Sequence, residues 1–183
     1  MWCRRRQFAA LTRARKAHGC SGSSGALALT LPHVRIAIGT DHAGYVLKVA
    51  VSKHLADAGH DVIDLGTDSE DPVDYPSFCA AVGRAVIRGD ADFGVVLGGS
   101  GQGEAIAANK VHGVRAALCQ NEFMARLARQ HNNANVLALG GRVLGETIAL
   151  AIVDEFMSAT FEGGRHERRV TQISDIEREE CER

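Results

Sequence analysis

Five short apolar runs alternate with helix-like segments from Val34 onward, and this alternation leaves few folds open. The runs are Val34–Gly39, Val62–Leu65, Phe93–Leu97, Val114–Leu118 and Val136–Leu139. Helical spacing fills the intervals at Tyr45–Ala58, Phe78–Ile87, Ala105–Lys110 and Glu122–Gln130, and returns at Glu146–Met157. In the first of these, Val46, Leu47, Ala50, Val51 and Leu55 fall on one side. Strands this apolar, linked through helices, predict a parallel sheet covered on both faces. A last helix, Arg165–Glu180, is charged and poor in apolar positions. It is expected to dock on another surface, such as a second subunit.

Composition narrows the class. At 183 residues and 45% hydrophobic the chain can build one core of ordinary size. A formal net charge of −1 argues against a dedicated nucleic-acid binder. Cys3, Cys20, Cys79, Cys119 and Cys181 form no CxxC pair, which reads as reduced cytoplasmic thiols rather than a disulfide frame or zinc site. No apolar stretch reaches the roughly 18 residues that would span a bilayer. Residues 1–33 differ from the rest: Arg4, Arg5, Arg6, Arg13, Arg15 and Lys16 occur there without an acidic residue, and Gly19–Gly25 is rich in Gly and Ser. They read as a disordered basic leader or a start assigned too far upstream, with organelle targeting as the alternative. Residues 34–183 are expected to form a single domain.

In a doubly wound sheet, ligands sit beyond the carboxyl ends of the strands. The richest such position is Gly98-Gly99-Ser100-Gly101-Gln102-Gly103-Glu104, between the third run and the helix after it. A glycine turn opening a helix presents several N–H groups to one point and can hold an anion. Familiar uses of such a turn fail here. Glu104 stands where a P-loop has lysine, the glycine spacing misses GxGxxG, and Gln102 replaces the last glycine of GxSxG. Ser100 is better read as a hydroxyl donor beside the amides than as a nucleophile.

A phosphate cradle gains nothing from Glu104, but a proton-transfer site needs a carboxylate. Its position could serve only the helix dipole. The apolar run before it and the alanine-rich helix after it predict burial, which raises a carboxyl pKa and makes a better general base. Asp41-His42 follow the first strand, where Asp41 could simply cap the next helix. His131-Asn132-Asn133 precede the fifth strand rather than follow one, so strand-end logic does not place them. Arg165, His166, Arg168 and Arg169 could be a solvated helix face.

At these residues the chain resembles the ribose-5-phosphate isomerase B family, which includes the galactose-6-phosphate isomerase subunits. The resemblance rests on Gly39–Tyr45, Asp74-Tyr75-Pro76, Gly98–Lys110, Arg129–Asn135, Gly140-Gly141-Arg142 and Gly164–Arg169, within about Val34 to Glu177. It implies a flavodoxin-like or Rossmann-like three-layer sandwich with a five-stranded parallel sheet and a last helix docking on a neighbouring subunit. It implies an aldose–ketose isomerase interconverting ribose 5-phosphate and ribulose 5-phosphate through a cis-enediolate, in the non-oxidative pentose phosphate pathway. One branch of the family carries cysteine where this chain has Gly98; the other, which this chain resembles, places its base where Glu104 stands.

By that resemblance Glu104 moves the proton between carbons 2 and 1. Gly99, Ser100 and Gly103 hold the enediolate, and His131 opens the furanose ring. Asp41 orients sugar hydroxyls. His42, Arg142, Arg165 and Arg169 take the phosphate, with His166 a weaker member. Tyr75, Gly101, Asn109 and Asn132 support substrate. The resemblance implies no metal and no cofactor, a small sugar-phosphate substrate, no nucleic acid or membrane partner, and a cytoplasmic homodimer or tetramer whose site is shared between subunits. A six-carbon or four-carbon sugar phosphate is the alternative substrate. A non-catalytic sugar-phosphate or nucleotide binder is the alternative class.

Overall fold

The computed structural model describes residues 33–181. The leader expected over residues 1–33 therefore lies, apart from His33, outside the described residues. Strands β1 (Arg35–Thr40), β2 (Asp61–Asp64), β3 (Phe93–Gly98), β4 (Ala116–Leu118) and β5 (Val136–Gly140) form one sheet. Every pairing is parallel and the order is β2-β1-β3-β5-β4. The flavodoxin order 2-1-3-4-5 is thus altered by exchange of the last two strands. The helices are α1 (Tyr45–Asp57), α2 (Tyr75–Arg88), α3 (Gln102–Ala108), α4 (Glu122–Asn132), α5 (Glu146–Ser158) and α6 (Arg165–Cys181).

Helices α1, α4 and α5 cover one face of the sheet, and α2 and α3 cover the other. The first layer packs Leu47, Val51, Leu55, Ile152 and Phe156 against Ile36, Ile38, Leu97, Leu137 and Leu139. The second uses smaller groups, Cys79, Val82, Ala105 and Ala108, against Ala37, Val96 and Ala138. Small side chains let α3 lie close to the sheet, which draws Glu104 toward the strand ends. The inward side of α1 is Leu47, Lys48, Val51 and Leu55; Val46, expected inward, is 67% exposed. Buried Lys48 is satisfied by Asp64 Oδ2 at 2.6 Å and the Thr67 carbonyl at 2.7 Å. It thereby ties down the start of the loop that leads to Tyr75.

Helix α2 begins at Tyr75, ahead of the expected Phe78, because Pro76 falls in its first turn, where its missing N–H costs nothing. Strand β4 is shorter than the expected Val114–Leu118. The Asn135 side chain accepts from the Arg115 N–H at 2.8 Å, and the Asn109 side chain from the Ala116 N–H at 2.8 Å. These side chains replace ladder partners at the strand's start. Helix α6 buries only His166 and leaves Ile173 and Ile176 exposed. Among the described residues no helix is long and apolar enough to cross a membrane.

Candidate active site

Strands β1 and β3 are neighbours, yet the chain leaves β1 toward β2 and returns across it to β3. That reversal opens a crevice at their carboxyl ends. A cavity of about 510 Å³ lies there, within the ordinary size for a small-molecule site. Asp41, His42, Tyr75, Gly99, Ser100, Gly103, Glu104 and Arg142 all border it. These are eight of the residues singled out in the sequence, drawn from the ends of β1, β3 and β5 and the start of α2.

Each is held by local structure. Asp41 caps a 3-10 turn at His42–Gly44, its Oδ1 accepting from the N–H groups of Ala43 at 2.9 Å and Gly44 at 3.2 Å. The His42 Nδ1 stands 3.3 Å from both the backbone N and O of Val73, which fixes the ring against the β2–α2 loop. The Tyr75 hydroxyl lies directly over Gly103. After β5 the chain folds back on the glycine turn. Gly141 N–H donates to the Gly98 carbonyl at 2.8 Å, and Arg142 N–H to the Gly99 carbonyl at 3.0 Å. The Arg142 guanidinium is thereby set beside Gly99. The Ser100 hydroxyl accepts from the Gln102 N–H at 3.3 Å. Gly101 has φ +78°, the left-handed conformation that a side chain would strain, and this bend starts α3.

Glu104 sits in the first turn of α3 and is 3% exposed. Its Oε2 is buried without a hydrogen-bond partner. Burial raises its pKa above the ordinary carboxylate value, with nearby Asp41 adding to the effect, while the backbone N–H groups of Glu104 and Gly101 pull the other way. A Cβ built on Gly98 would overlap the Glu104 carboxylate and approach its Cγ to 2.9 Å. Glycine at 98 is therefore the condition for the carboxylate to occupy this place. Cys79 lies beneath on α2, fully buried, its thiol pushed up to about 12 by burial and by the charges of Glu104 and Asp41. It is protonated at neutral pH and offers no competing base.

The pH dependence follows in sign. A carboxyl whose folded-state pKa lies above its unfolded value binds its proton more tightly when folded, so stability falls as pH rises through the folded value. Glu104→Gln removes that loss. The variant should melt higher than the native chain at pH 7, the difference shrinking as the buffer approaches about pH 4. A difference constant over that range in a thermal-melt series would contradict the burial argument.

The remaining expected residues are not at this cavity. Gly101 is buried beneath the turn, close to Leu118 and Leu139. The Asn109 side chain is engaged with the backbone of Ala116, both accepting from its N–H and donating to its carbonyl. Asn132 lies beside a separate groove along α6 that also borders Asn109, Arg115 and Ile173. His131 and His166 stack with ring centroids 4.1 Å apart and planes 7° apart. Arg165 Nε donates to His166 Nε2 at 3.2 Å, and Arg169 lies one turn further along α6.

Topology separates this cluster from the cavity. Helix α4 leaves the carboxyl end of β4 and returns to the amino end of β5, so His131 lies at the amino edge of the sheet. Helix α5 makes the same return before α6 begins, and the Glu162 N–H donates to the Gln130 carbonyl at 3.0 Å. The five residues of β5, at about 3.3 Å each, put roughly 16 Å between the two edges. One residue of the cluster, Glu162, was not singled out in the sequence. It precedes α6 in irregular chain, separated from the helix by Gly163 and Gly164 with φ +65° and +55°, so no helical spacing rule signals its contact with His166.

A doubly wound sheet with a buried carboxylate, one oxygen of it unpartnered, under a glycine turn at its topological switch point defines a small-molecule enzyme of proton transfer. Residues 36–173 match the Ribose/Galactose Isomerase family, and the chain belongs to it. It is 47% identical over 143 residues to ribose-5-phosphate isomerase B of Escherichia coli, covering 78% of this chain and 96% of that protein. The structure of Clostridium thermocellum ribose-5-phosphate isomerase B is similar, with a TM-score of 0.79 and 51% identity over 79% of this chain and 98% of that one. The Mycoplasma genitalium ribose-5-phosphate isomerase B, solved with bound ribulose 5-phosphate, gives a TM-score of 0.76 at 45% identity, covering 79% and 97%.

Proposed function

We propose that the chain interconverts D-ribose 5-phosphate and D-ribulose 5-phosphate through a cis-enediolate. The observation that carries this reading is Glu104: a carboxylate buried at the cavity, raised in pKa, with one oxygen left without a hydrogen-bond partner. Its matching relatives bear the name of that reaction, and one is described with ribulose 5-phosphate bound. Glu104 takes the proton from carbon 2 of the open-chain aldose and charge accumulates on O1; the O2 hydroxyl proton passes to O1, and Glu104 delivers a proton to carbon 1 as carbon 2 becomes the carbonyl. The amides of Gly99 and Gly103 with the Ser100 hydroxyl stabilise that oxyanion. Asp41 orients sugar hydroxyls, with Tyr75 beside them. The step requires no electron acceptor.

Ring opening by His131 and phosphate binding by Arg165 and Arg169 require a second copy. On one chain these groups are at the amino edge and Glu104 is at the carboxyl edge, so the site is completed in a homodimer, or a tetramer built from it. His42 and Arg142 hold the phosphate from the Glu104 side. Arginine suits this task through its permanent charge and paired donors. Arg169→Ala should raise KM for ribose 5-phosphate about tenfold with a smaller change in kcat, as expected for loss of one charged contact. Unchanged steady-state KM would remove Arg169 from the phosphate site.

Turnover across four-, five- and six-carbon aldose phosphates tests the substrate. The five-carbon compound should give the highest kcat/KM. Preference for a four- or six-carbon sugar would overturn the assignment within the isomerases. Binding with no turnover of any would favour a sugar-phosphate binding module in its place. The cytoplasmic location implied by the sequence belongs to this same reading.

A further inference from the structure

At the amino edge, one carboxylate faces two imidazoles. Glu162 Oε2 lies 3.8 Å from His131 Nε2 and 3.8 Å from His166 Nε2. Its place is set by the bond from its own N–H to the Gln130 carbonyl, immediately before His131. The imidazoles differ in what they can do. Arg165 Nε can only donate, so the His166 Nε2 that it meets at 3.2 Å must accept. His166 therefore carries its proton on Nδ1 and is neutral. Burial acts in the same direction, lowering its pKa, as do His131, Arg165 and Arg169, while Glu162 alone opposes them. The His131 side chain, by contrast, is 31% exposed. It closes the last turn of α4, where the helix carbonyls favour a cation.

The same three side chains have the donor types of a metal site. Their geometry argues against one. The rings are parallel within 7°, so their in-plane lone pairs do not converge, and Arg165 already occupies the His166 nitrogen that faces Glu162.

We propose that Glu162 and His166 are positioning residues for His131: the carboxylate is the counter-charge to the imidazolium formed when His131 accepts a proton, and the neutral His166 ring is the platform on which it stacks. The proposal rests on the reading of His131 as the ring-opening group, and it moves His166 from phosphate ligand to support. A carboxylate beside an imidazole that must gain and lose a proton fixes the ring and offsets its charge. The stack fixes the remaining rotation.

The test exploits a difference between the two sugars. Ribose 5-phosphate is held mainly as a furanose and must be opened. Ribulose 5-phosphate has its O5 blocked by phosphate and stays open-chain, so exchange of its carbon-1 proton with deuterated solvent bypasses ring opening. Glu162→Gln should slow turnover of ribose 5-phosphate by about tenfold, a fraction of the roughly 10²–10⁴-fold worth of a general acid–base group. It should leave carbon-1 exchange from ribulose 5-phosphate within about twofold of the native chain, and Glu162→Asp should recover part of the lost turnover. Equal losses in both assays, or no loss in either, would overturn the proposal. His131→Ala separates the two levels. Selective loss in that variant without selective loss in Glu162→Gln defeats the positioning role alone. No selective loss in His131→Ala defeats the ring-opening reading on which the role rests.

Discussion

Replacing Glu104 with glutamine should lower kcat for ribose 5-phosphate by roughly 10²–10⁴-fold, the range of a general base, and leave sugar-phosphate binding nearly intact. That loss corresponds to about 3–5 kcal/mol of transition-state stabilisation. The substitution keeps the shape and burial of the side chain and removes only its capacity to take a proton. Because the carboxylate acts in the transition state, the effect should fall on kcat rather than KM. Steady-state kinetics, with calorimetric binding of ribose 5-phosphate to the inactive variant, check both halves. A variant retaining most of its turnover would remove Glu104 as the base.

A single methyl group at position 98 should be nearly as damaging. The added Cβ of Gly98→Ala would stand where the Glu104 carboxylate now lies. The backbone there cannot readily yield: Gly98 pairs with Gly140 across β3 and β5, and its carbonyl accepts from the Gly141 N–H at 2.8 Å. The carboxylate must move instead. The far end of a long side chain can do so at little cost in stability, but it leaves the position from which it faces the substrate. An expected fall in kcat of about 10²-fold, with thermal stability near that of the native chain, separates a displaced base from a broken fold.

The same overlap gives a steric reason for the two branches that the sequence resemblance distinguishes, one with cysteine at the position of Gly98 and one with glutamate at that of Glu104. A side chain at 98 and a carboxylate at 104 compete for one volume. Gly98→Cys combined with Glu104→Ala should therefore turn over faster than Gly98→Cys alone. A double variant slower than that single one would mean the collision is not what keeps the two bases apart.

The layers were legible because each rests on local pattern. Apolar runs without alternation announced strands buried on both faces, and the glycine turn with its acidic end announced a site before any fold was known. The order of the sheet was not legible, since the exchange of β4 and β5 is decided by pairings between distant residues. The start of β4 was overestimated because Asn109 and Asn135 supply its backbone partners from elsewhere in the chain. Spacing alone groups Val46 on one side of α1 with Leu47, Val51 and Leu55, but Val46 is exposed and α1 instead turns Lys48 inward to meet Asp64 and Thr67.

The site was legible in part for the same reason. Residues at strand ends converge wherever the topology reverses, and eight of them border one cavity. His131 resisted that logic because it precedes its strand, and α4 carries it to the opposite edge. The contact between Gly98 and Glu104, and the place of Glu162 between two imidazoles, depend on side-chain packing that no spacing rule encodes.

The measurement closest to the central claim is proton exchange at the reacting carbon. Ribose 5-phosphate is incubated with the native chain in deuterated water, and the pool is followed by NMR at carbon 2 of the aldose and carbon 1 of the ketose. Deuterium should enter at both positions as ribulose 5-phosphate forms, and Glu104→Gln should lose the exchange in proportion to its turnover. Exchange and turnover that persist undiminished in Glu104→Gln would contradict the assignment of Glu104 as the group that moves the proton.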